Sequence, residues 1–287
     1  DLSGNALDQN SFQMGNQPYQ ATFTTGMAGQ TQTNVTPPMI VGTSPFRGSA
    51  NVPRNLSKIA IEFNQSGMDL STFNATNITL SGGITLSGFS FSTSTSKNIL
   101  TTTLSGVLAA NTTYTLTVLG GSSGVRSSNG IPLPMSYTTT FTTSGSSDTT
   151  APGIVGVLPP NGTTITANTN DFIFTFDDNI DTTTATSGAI TLSVTGGANL
   201  PAAVSYLPVA KEGHIVPNNV LPIGQSLTLT IKGASLKNVS GVYLGADVTR
   251  SWTVEAVNTD TVSPSIMFAN ADDFSVDITW NEAVNQT

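Results

Sequence analysis

The chain has 287 residues, of which 37% are hydrophobic and 9% charged, and its 17 acidic and 9 basic side chains give a net charge of −8. This acidic balance argues against nucleic acid and anionic membrane surfaces as partners, because both attract clustered positive charge. The absence of cysteine excludes disulfides, thiolate metal sites and cysteine nucleophiles. No apolar run is long enough to cross a membrane, so no membrane insertion is expected in this region.

An internal repeat is the strongest signal in the sequence. The segment PMIVGTSPFRG, which begins at Pro38, reappears as PGIVGVLPPNG from Pro152. A third copy begins at Pro264, and ATFTTG at 21–26 resembles the end of a copy, TTFTTSG at 139–145. The third copy keeps the order of apolar residues that the earlier copies show: Ile266 stands where Ile154 stands, and Val276, Ile278 and Trp280 stand where Ile59, Ile61 and Phe63 stand.

These matches divide the chain into four parts. The predicted parts are the end of a preceding repeat with its linker (1–36), two whole repeats (37–146 and 147–258), and the first strands of a following repeat (259–287). We expect the natural polypeptide to continue at both ends, or its terminal parts to complete one another between neighbouring subunits.

Within each repeat, apolar residues alternate with polar ones in short runs that Gly, Pro and Asn-Gly turns separate. This pattern predicts an all-β fold of tandem antiparallel sandwiches, with one helical turn near Asp69–Phe73 that Asp69 caps. The residues expected to face the two cores are Ile59, Ile61, Phe63, Tyr114, Leu116 and Phe141 in the first repeat, and Phe172, Phe174, Phe176, Leu227, Leu229 and Trp252 in the second.

The order of motifs resembles a known family. A Pro-led first strand is followed by a strand that ends at Phe63 just before Met68-Asp69, then by a YTLTV strand and a closing TTFTT strand. This order resembles the bacterial Ig-like domain of S-layer proteins, over two full and two partial copies. The resemblance implies Ig-like sandwiches in tandem, secretion and display on the cell surface, and it supplies no catalytic residues.

Each junction between repeats carries an Asx residue four positions before a proline, in the segments NVTPP, DTTAP and DTVSP. Two hypotheses stay open for Asp148 and Asp260. Each carboxylate could supply one ligand to a calcium ion held between neighbouring domains, because Ca²⁺ accepts six to eight oxygen ligands. Alternatively, each forms an Asx turn that positions the proline. No other cofactor is expected.

No arrangement of residues indicates catalysis, so we expect no enzyme activity. The acidic pair Asp177-Asp178 resembles a glycosidase pair in composition alone, because neighbours on an extended strand point to opposite faces, and a solvated turn or a weak cation site is predicted instead. Glu62 lies between apolar neighbours and is predicted to face outward. The single histidine, His214, lacks a nucleophile motif and is predicted to lie in an exposed loop or at a strand edge.

The leading functional hypothesis is a structural repeat region of a secreted prokaryotic surface protein, forming an S-layer-like lattice, a rod, a sheath or a filament. The alternatives are the stalk of an adhesin that displays a binding domain, and an ancillary region of a secreted polysaccharide-degrading enzyme. The expected partners are copies of the same protein, with the cell envelope or surface glycans as further candidates. The expected location is extracellular, at the cell surface.

Overall fold

The computed structural model describes residues 36–93, 97–256, 266–271 and 276–280, the last two ranges as backbone. Residues 40–143 form one β-sandwich, with strand orders β1-β3-β6-β5 and β2-β8-β7-β4 in its two sheets. Within the described ranges no helix is long and apolar enough to cross a membrane. The strands of this first domain are β1 (Ile40–Ser44), β2 (Ser49–Val52), β3 (Lys58–Phe63), β4 (Ile78–Leu80), β5 (Leu86–Ser92), β6 (Asn98–Leu104), β7 (Thr113–Val118) and β8 (Tyr137–Thr143).

Residues 154–254 form a second sandwich with the same arrangement, in strand orders β13-β14-β11-β9 and β10-β16-β15-β12. The all-β tandem sandwich fold is therefore confirmed. The strands of this second domain are β9 (Ile154–Leu158), β10 (Thr164–Ile165), β11 (Phe172–Phe176), β12 (Ile190–Val194), β13 (Ala202–Leu207), β14 (Glu212–Pro217), β15 (Ser226–Ile231) and β16 (Val248–Val254).

One strand pair in each domain departs from the expected antiparallel pairing. β2 runs parallel to β8, and β10 runs parallel to β16. The reason is that the first strand of each repeat changes sheets: β1 pairs with β3 in one sheet, and β2 then continues onto the other. Apolar residues alternate in the same way in parallel and antiparallel strands, so the sequence alone did not distinguish the two kinds of pairing.

The predicted core is confirmed in both domains, because every one of its twelve residues is buried. Alternation explains this result, since residues two apart on a strand share one face of the sheet. Aromatic rings add specific contacts, with Tyr114 and Phe141 stacked at 5.8 Å in the first domain and Phe172 4.7 Å from Trp252 in the second. Two separate clusters of buried side chains result, one in each sandwich.

The helical turn is also confirmed. Leu70–Thr72 form a single turn of 3₁₀ helix, and the Asp69 carboxylate accepts a hydrogen bond from the backbone N–H of Ser71. Hydrogen bonds from the Ser71 hydroxyl and then from Arg126 lower the pKa of Asp69 below its ordinary value.

Two further strands follow the second sandwich, with β17 (Ile266–Ala271) antiparallel to β18 (Val276–Trp280). Ile266 lies opposite Trp280, as Ile154 lies opposite Phe176, and a register irregularity follows in both pairs. The proposed boundaries of the four parts stay a prediction. The partial repeat predicted at the start of the chain lies, apart from Thr36, outside the described residues, as does Asp260.

Truncation of a core phenylalanine should destabilise the domain that contains it. Phe63→Ala and Phe176→Ala should each lower the free energy of unfolding by about 3–5 kcal/mol, because each removes a buried ring and leaves a cavity. Phe46→Ala, at a position that is 52% exposed, is the matched control and should change stability by less than about 0.5 kcal/mol. Urea denaturation measures all three, and equal losses for buried and exposed positions would refute the strand register.

Candidate functional site: the junction between the two sandwiches

The linker between the two domains is held at Asp148. Its Oδ1 accepts a hydrogen bond from the backbone N–H of Thr150 at 2.8 Å, which forms an Asx turn. Asn55 of the first domain binds the same residue through its backbone, since Asn55 Nδ2 donates to the carbonyl of Asp148 and Asn55 Oδ1 accepts from its N–H. The same Nδ2 also donates to the carbonyl of Ser240 at 2.9 Å. Asn55 therefore joins the first domain to the linker and to the second domain.

A buried amide connects the linker to the second domain. Asn238 is fully buried, and its Oδ1 accepts hydrogen bonds from the backbone N–H groups of Ser240 and Val242. Because the oxygen is occupied in this way, the amide nitrogen must face the opposite side. There Nδ2 donates to Asp148 Oδ2 at 2.7 Å and to Asp178 Oδ2 at 2.6 Å. One amide group thus holds two carboxylates together.

This arrangement perturbs the protonation of Asp178. Burial raises the pKa of Asp178 above its ordinary value, although the hydrogen bonds from Asn238 and from the backbone N–H of Asn179 favour the charged form. The negative charge of Asp148 raises the pKa of Asp178 further, and the positive charge of Lys211 lowers it. The network therefore contains a carboxylate whose charged form is partly destabilised in the folded state.

An apolar contact crosses the junction beside this network. Val239, from the second domain, is 9% exposed and packs with the core residues of the first domain. Its carbonyl accepts a hydrogen bond from the backbone N–H of Ser57, and its own N–H donates to the carbonyl of Asn179. Val239 is thus fixed by backbone bonds on both sides while its side chain fills space in the neighbouring sandwich.

An ion pair also joins the domains. Lys58 Nζ of the first domain lies 3.3 Å from Asp181 Oδ1 of the second, and both side chains are largely buried. Asp181 in addition caps a turn, because Oδ1 accepts hydrogen bonds from the N–H and hydroxyl groups of Thr183. It occupies the place that Asp69 has in the first domain.

The tip of the β13–β14 hairpin, residues 208–211, covers the outer face of the first domain. A Cβ atom placed on Gly42 would lie 2.9 Å from Cγ1 of Val209, so the hairpin and the sheet are in direct contact. Pro208 lines a small cleft between the domains together with Ser44 and Ala60. The second domain therefore contacts the first at the linker, at Val239, through the ion pair of Lys58 with Asp181 and along this sheet face.

Of the two residues predicted to bind calcium, the structure describes Asp148 and does not describe Asp260. Both carboxylate oxygens of Asp148 accept hydrogen bonds, one in the predicted Asx turn and one from Asn238. Among the described residues, no group of three or more His, Asp or Glu side chains is placed to hold a metal ion. Asp260 lies outside the described residues. Calcium binding at Asp148 and Asp260 stays a prediction, and the contacts of Asp148 favour its role in the turn.

Two other predictions were wrong. His214 is 8% exposed and lies on β14, which pairs with β13 on one side and β11 on the other, so it is neither in a loop nor at a sheet edge. Its Nδ1 lies 2.8 Å from Asp171 Oδ2, and this partner allows the ring to be buried. For the acidic pair the prediction was wrong at Asp178 alone, which is half-buried in the junction, whereas Asp177 is exposed as a solvated turn requires.

The prediction that Glu62 faces outward was right, but its burial was not predicted. Glu62 points away from the core, as alternation requires, yet it is 7% exposed. A Cβ atom on Gly42 would lie near both Glu62 and Val209, so the neighbouring domain contributes to this burial. Lys97 Nζ lies 2.9 Å from Glu62 Oε1 and compensates its charge.

Sequence reasoning missed Asn55, Asn238 and Val239. A signal for two of them was present in the repeat. The antiparallel bridge between Ile180 and Asn238 matches the bridge between Met68 and Ser127, so Asn238 replaces a serine and Val239 replaces Ser128. A longer amide and an apolar side chain at these places reach a neighbour that serines would not reach.

Together these contacts define a class of protein: all-β chains in which Ig-like sandwiches follow one another and bind through side chains at their junctions. The family model described as bacterial Ig-like domain matches residues 34–143 and again residues 148–254. The chain belongs to the bacterial Ig-like domain family. A comparison with curated proteins found no significant match.

Solved structures match this chain only at low identity and with low TM-scores. CopC from Methylosinus trichosporium OB3b is 12% identical, over 36% of this chain and 93% of that one, with a TM-score of 0.30. The S-layer protein rSbsC(31-844) is 20% identical over 42% of this chain and 15% of that one, with a TM-score of 0.31. The titin domains z1z2 in complex with telethonin are 12% identical over 78% of this chain and 98% of that one, with a TM-score of 0.25. Likenesses this weak say nothing about function.

Val239→Ser should loosen the junction while both cores stay folded. The substitution introduces the residue that the first repeat has at this place and removes apolar burial worth about 1.5–3 kcal/mol. Small-angle scattering should show a wider range of angles between the domains, and thermal unfolding should become less cooperative. Val220→Ser, at a position that is 44% exposed, is the control and should change neither curve. An unchanged scattering curve for Val239→Ser would show that the apolar contact does not hold the junction.

The raised pKa of Asp178 predicts a specific pH dependence. A carboxyl group with a raised pKa in the folded state binds its proton more readily there than in the unfolded chain, so its contribution to stability grows as pH falls through that pKa. The difference in unfolding free energy between the natural chain and Asp178→Asn should therefore shift in favour of the natural chain as pH falls from neutral towards 3.8, the ordinary pKa of an aspartate.

Asp69 supplies the control of opposite sign. Because its pKa is lowered, its stabilising contribution is lost as pH falls, and the natural chain should lose stability relative to Asp69→Asn over the acid range. Parallel urea titrations at several pH values give both differences. If the Asp178→Asn difference is constant with pH, the carboxylate is not desolvated in the junction.

Proposed function

We propose that this chain is a structural region of a prokaryotic cell-surface protein and acts outside the cell as part of a rod, lattice, sheath or filament. The observation that carries the proposal is the junction, where side chains of both domains and the linker bind one another. A protein that only needs to connect two independent domains can use a flexible linker. Here the linker is bonded to both domains through Asn55 and Asn238.

A fixed junction matters because it sets the direction of each domain relative to the one before it. In repeat proteins, contacts between neighbouring units are what convert a series of small domains into one extended body. The apolar contact of Val239 and the buried ion pair of Lys58 with Asp181 both resist bending between the domains. The proposed role requires no catalytic group, and its main partner is a further copy of the same protein.

The composition agrees with this role. A surface of Thr, Ser, Asn and Gly with 9% charged residues suits extended β-sheet exposed to water and to neighbouring polymers. A net charge of −8 keeps single copies soluble before assembly.

Immunogold electron microscopy of cells that produce the protein tests the proposal. An antibody raised against the chain should label the outer surface densely and at regular spacing, and cells that lack the gene should show no label. Sparse label that projects from the surface would favour the adhesin stalk instead. Label confined to the cell interior would overturn the proposal.

A further inference from the structure

The outer sheet face of the first domain shows what a covered face looks like in this protein. Ser44 and Ala60 lie opposite each other on β1 and β3, and they are only 7% and 4% exposed. Both line the cleft that Pro208 of the second domain borders. Gly42, two residues along the same strand from Ser44, meets Val209 at the hairpin tip. The face is buried because the next domain lies against it.

The second domain has the same face in the same register. Gly42 lies opposite Glu62, and Gly156 lies opposite Thr175 in the corresponding pair of strands. At the neighbouring position, Leu158 of β9 lies opposite Ile173 of β11, in the places of Ser44 and Ala60. These four residues of the second domain form the acceptor face: Gly156, Leu158, Ile173 and Thr175.

The acceptor face is exposed, and it is more apolar than the same face of the first domain. Leu158 is 58% exposed, whereas Ser44 at the equivalent position is 7% exposed. Among the described residues, a Cβ atom on Gly156 would lie within 4 Å of Thr175 only. No side chain there makes the contact that Val209 makes with Gly42. Leucine and isoleucine replace serine and alanine, which leaves apolar surface in contact with water.

We propose that the acceptor face binds the tip of the corresponding β-hairpin of another Ig-like repeat, as the 208–211 tip binds the first domain. The acceptor face continues an interface that the structure contains, because the same strands, in the same register, present the same face one repeat further along. The inference rests on the proposed function, because it requires repeats that stack on one another. Beyond the proposed function, the inference names the surface that is bound, which is the acceptor face, and the element that binds it, which is a β-hairpin tip.

Charge at the rim of the face restricts the partner. Lys58, which pairs with Asp181 across the first junction, is replaced by Asp171 at the equivalent position of the second domain. An incoming repeat with an acidic residue in the place of Asp181 would bring two negative charges together. In sequence the third copy carries Asn285 at that place, five residues after Trp280, as Asp181 is five residues after Phe176. The expected partner therefore has an apolar hairpin tip and no acidic residue at the rim.

Thiol labelling tests whether the face becomes covered, and the chain is free of cysteine. Leu158→Cys is made in the 287-residue chain and in an extended chain, in which residues 1–259 are followed by a second copy of residues 148–256. The added copy carries Asp181→Asn, so that it matches the third copy at the rim. Ser44→Cys in the 287-residue chain gives the rate for a covered thiol, and Met135→Cys, at a position that is 80% exposed, gives the rate for an open one.

In the 287-residue chain, the introduced thiol at position 158 should react with a maleimide as fast as the exposed thiol at position 135 does. In the extended chain it should react at least about tenfold more slowly, which corresponds to an opening free energy of about 1.4 kcal/mol. The rate at position 135 should be the same in both chains. Val209→Asp placed in the added copy alone should restore fast labelling, because it puts a charge at the hairpin tip.

Equal labelling at position 158 in both chains, with tryptophan fluorescence showing that the added copy is folded, would overturn the inference. If the added copy does not fold, two copies of residues 148–256 are added instead, both with Asp181→Asn, because the first added copy then has a neighbour on its other side. Equal labelling in that chain would overturn the inference as well. The labelling result does not depend on where the protein is found in the cell. The labelling therefore tests the acceptor face separately from the proposed function, which the surface imaging tests.

Discussion

The structure depends on one constraint, which is that every second side chain of a strand lies on the same face of the sheet, and in each sandwich the face that carries the large apolar side chains is buried. Phe172, Phe174 and Phe176 share a face for this reason, and their burial places Ile173 and Thr175 on the outer side. The core therefore also decides which residues are available to neighbouring domains. In this protein the outer sides of the sheets do not simply face solvent, because Ala60 and Glu62 on that side of the first domain are buried.

The junction combines three kinds of interaction that respond differently to conditions. The contact of Val239 is apolar, the pair of Lys58 and Asp181 is ionic, and the amide of Asn238 holds two carboxylates that would otherwise repel each other. Acid affects only part of this set, since burial raises the pKa of Asp178 while the apolar contact does not titrate. Each contact holds a different part of the two domains, so the loss of one of them should loosen the junction.

The repeat, the strands and the core residues could all be predicted from the sequence, because they depend on local order and on period-two alternation. The cap at Asp69 was predictable for the same reason, since capping involves residues two apart in the chain. His214 and Asp178 could not be placed correctly, because their burial depends on groups far away in sequence: Asp171 lies 2.8 Å from the histidine ring, and Asn238 lies 2.6 Å from the carboxylate. Alternation states which side of a sheet a residue faces, and it does not state whether another domain covers that side.

The sequence by itself thus determined the class of fold, the number of whole repeats and the residues of each core, since all of these follow from patterns within one repeat. Only the tertiary structure decided how the repeats meet. The contacts of Asn55 with Asp148, and of Val209 with the face at Gly42, join residues more than ninety positions apart. Such pairs leave no periodic signal, because each side chain satisfies the local rules equally well whether or not its partner is present.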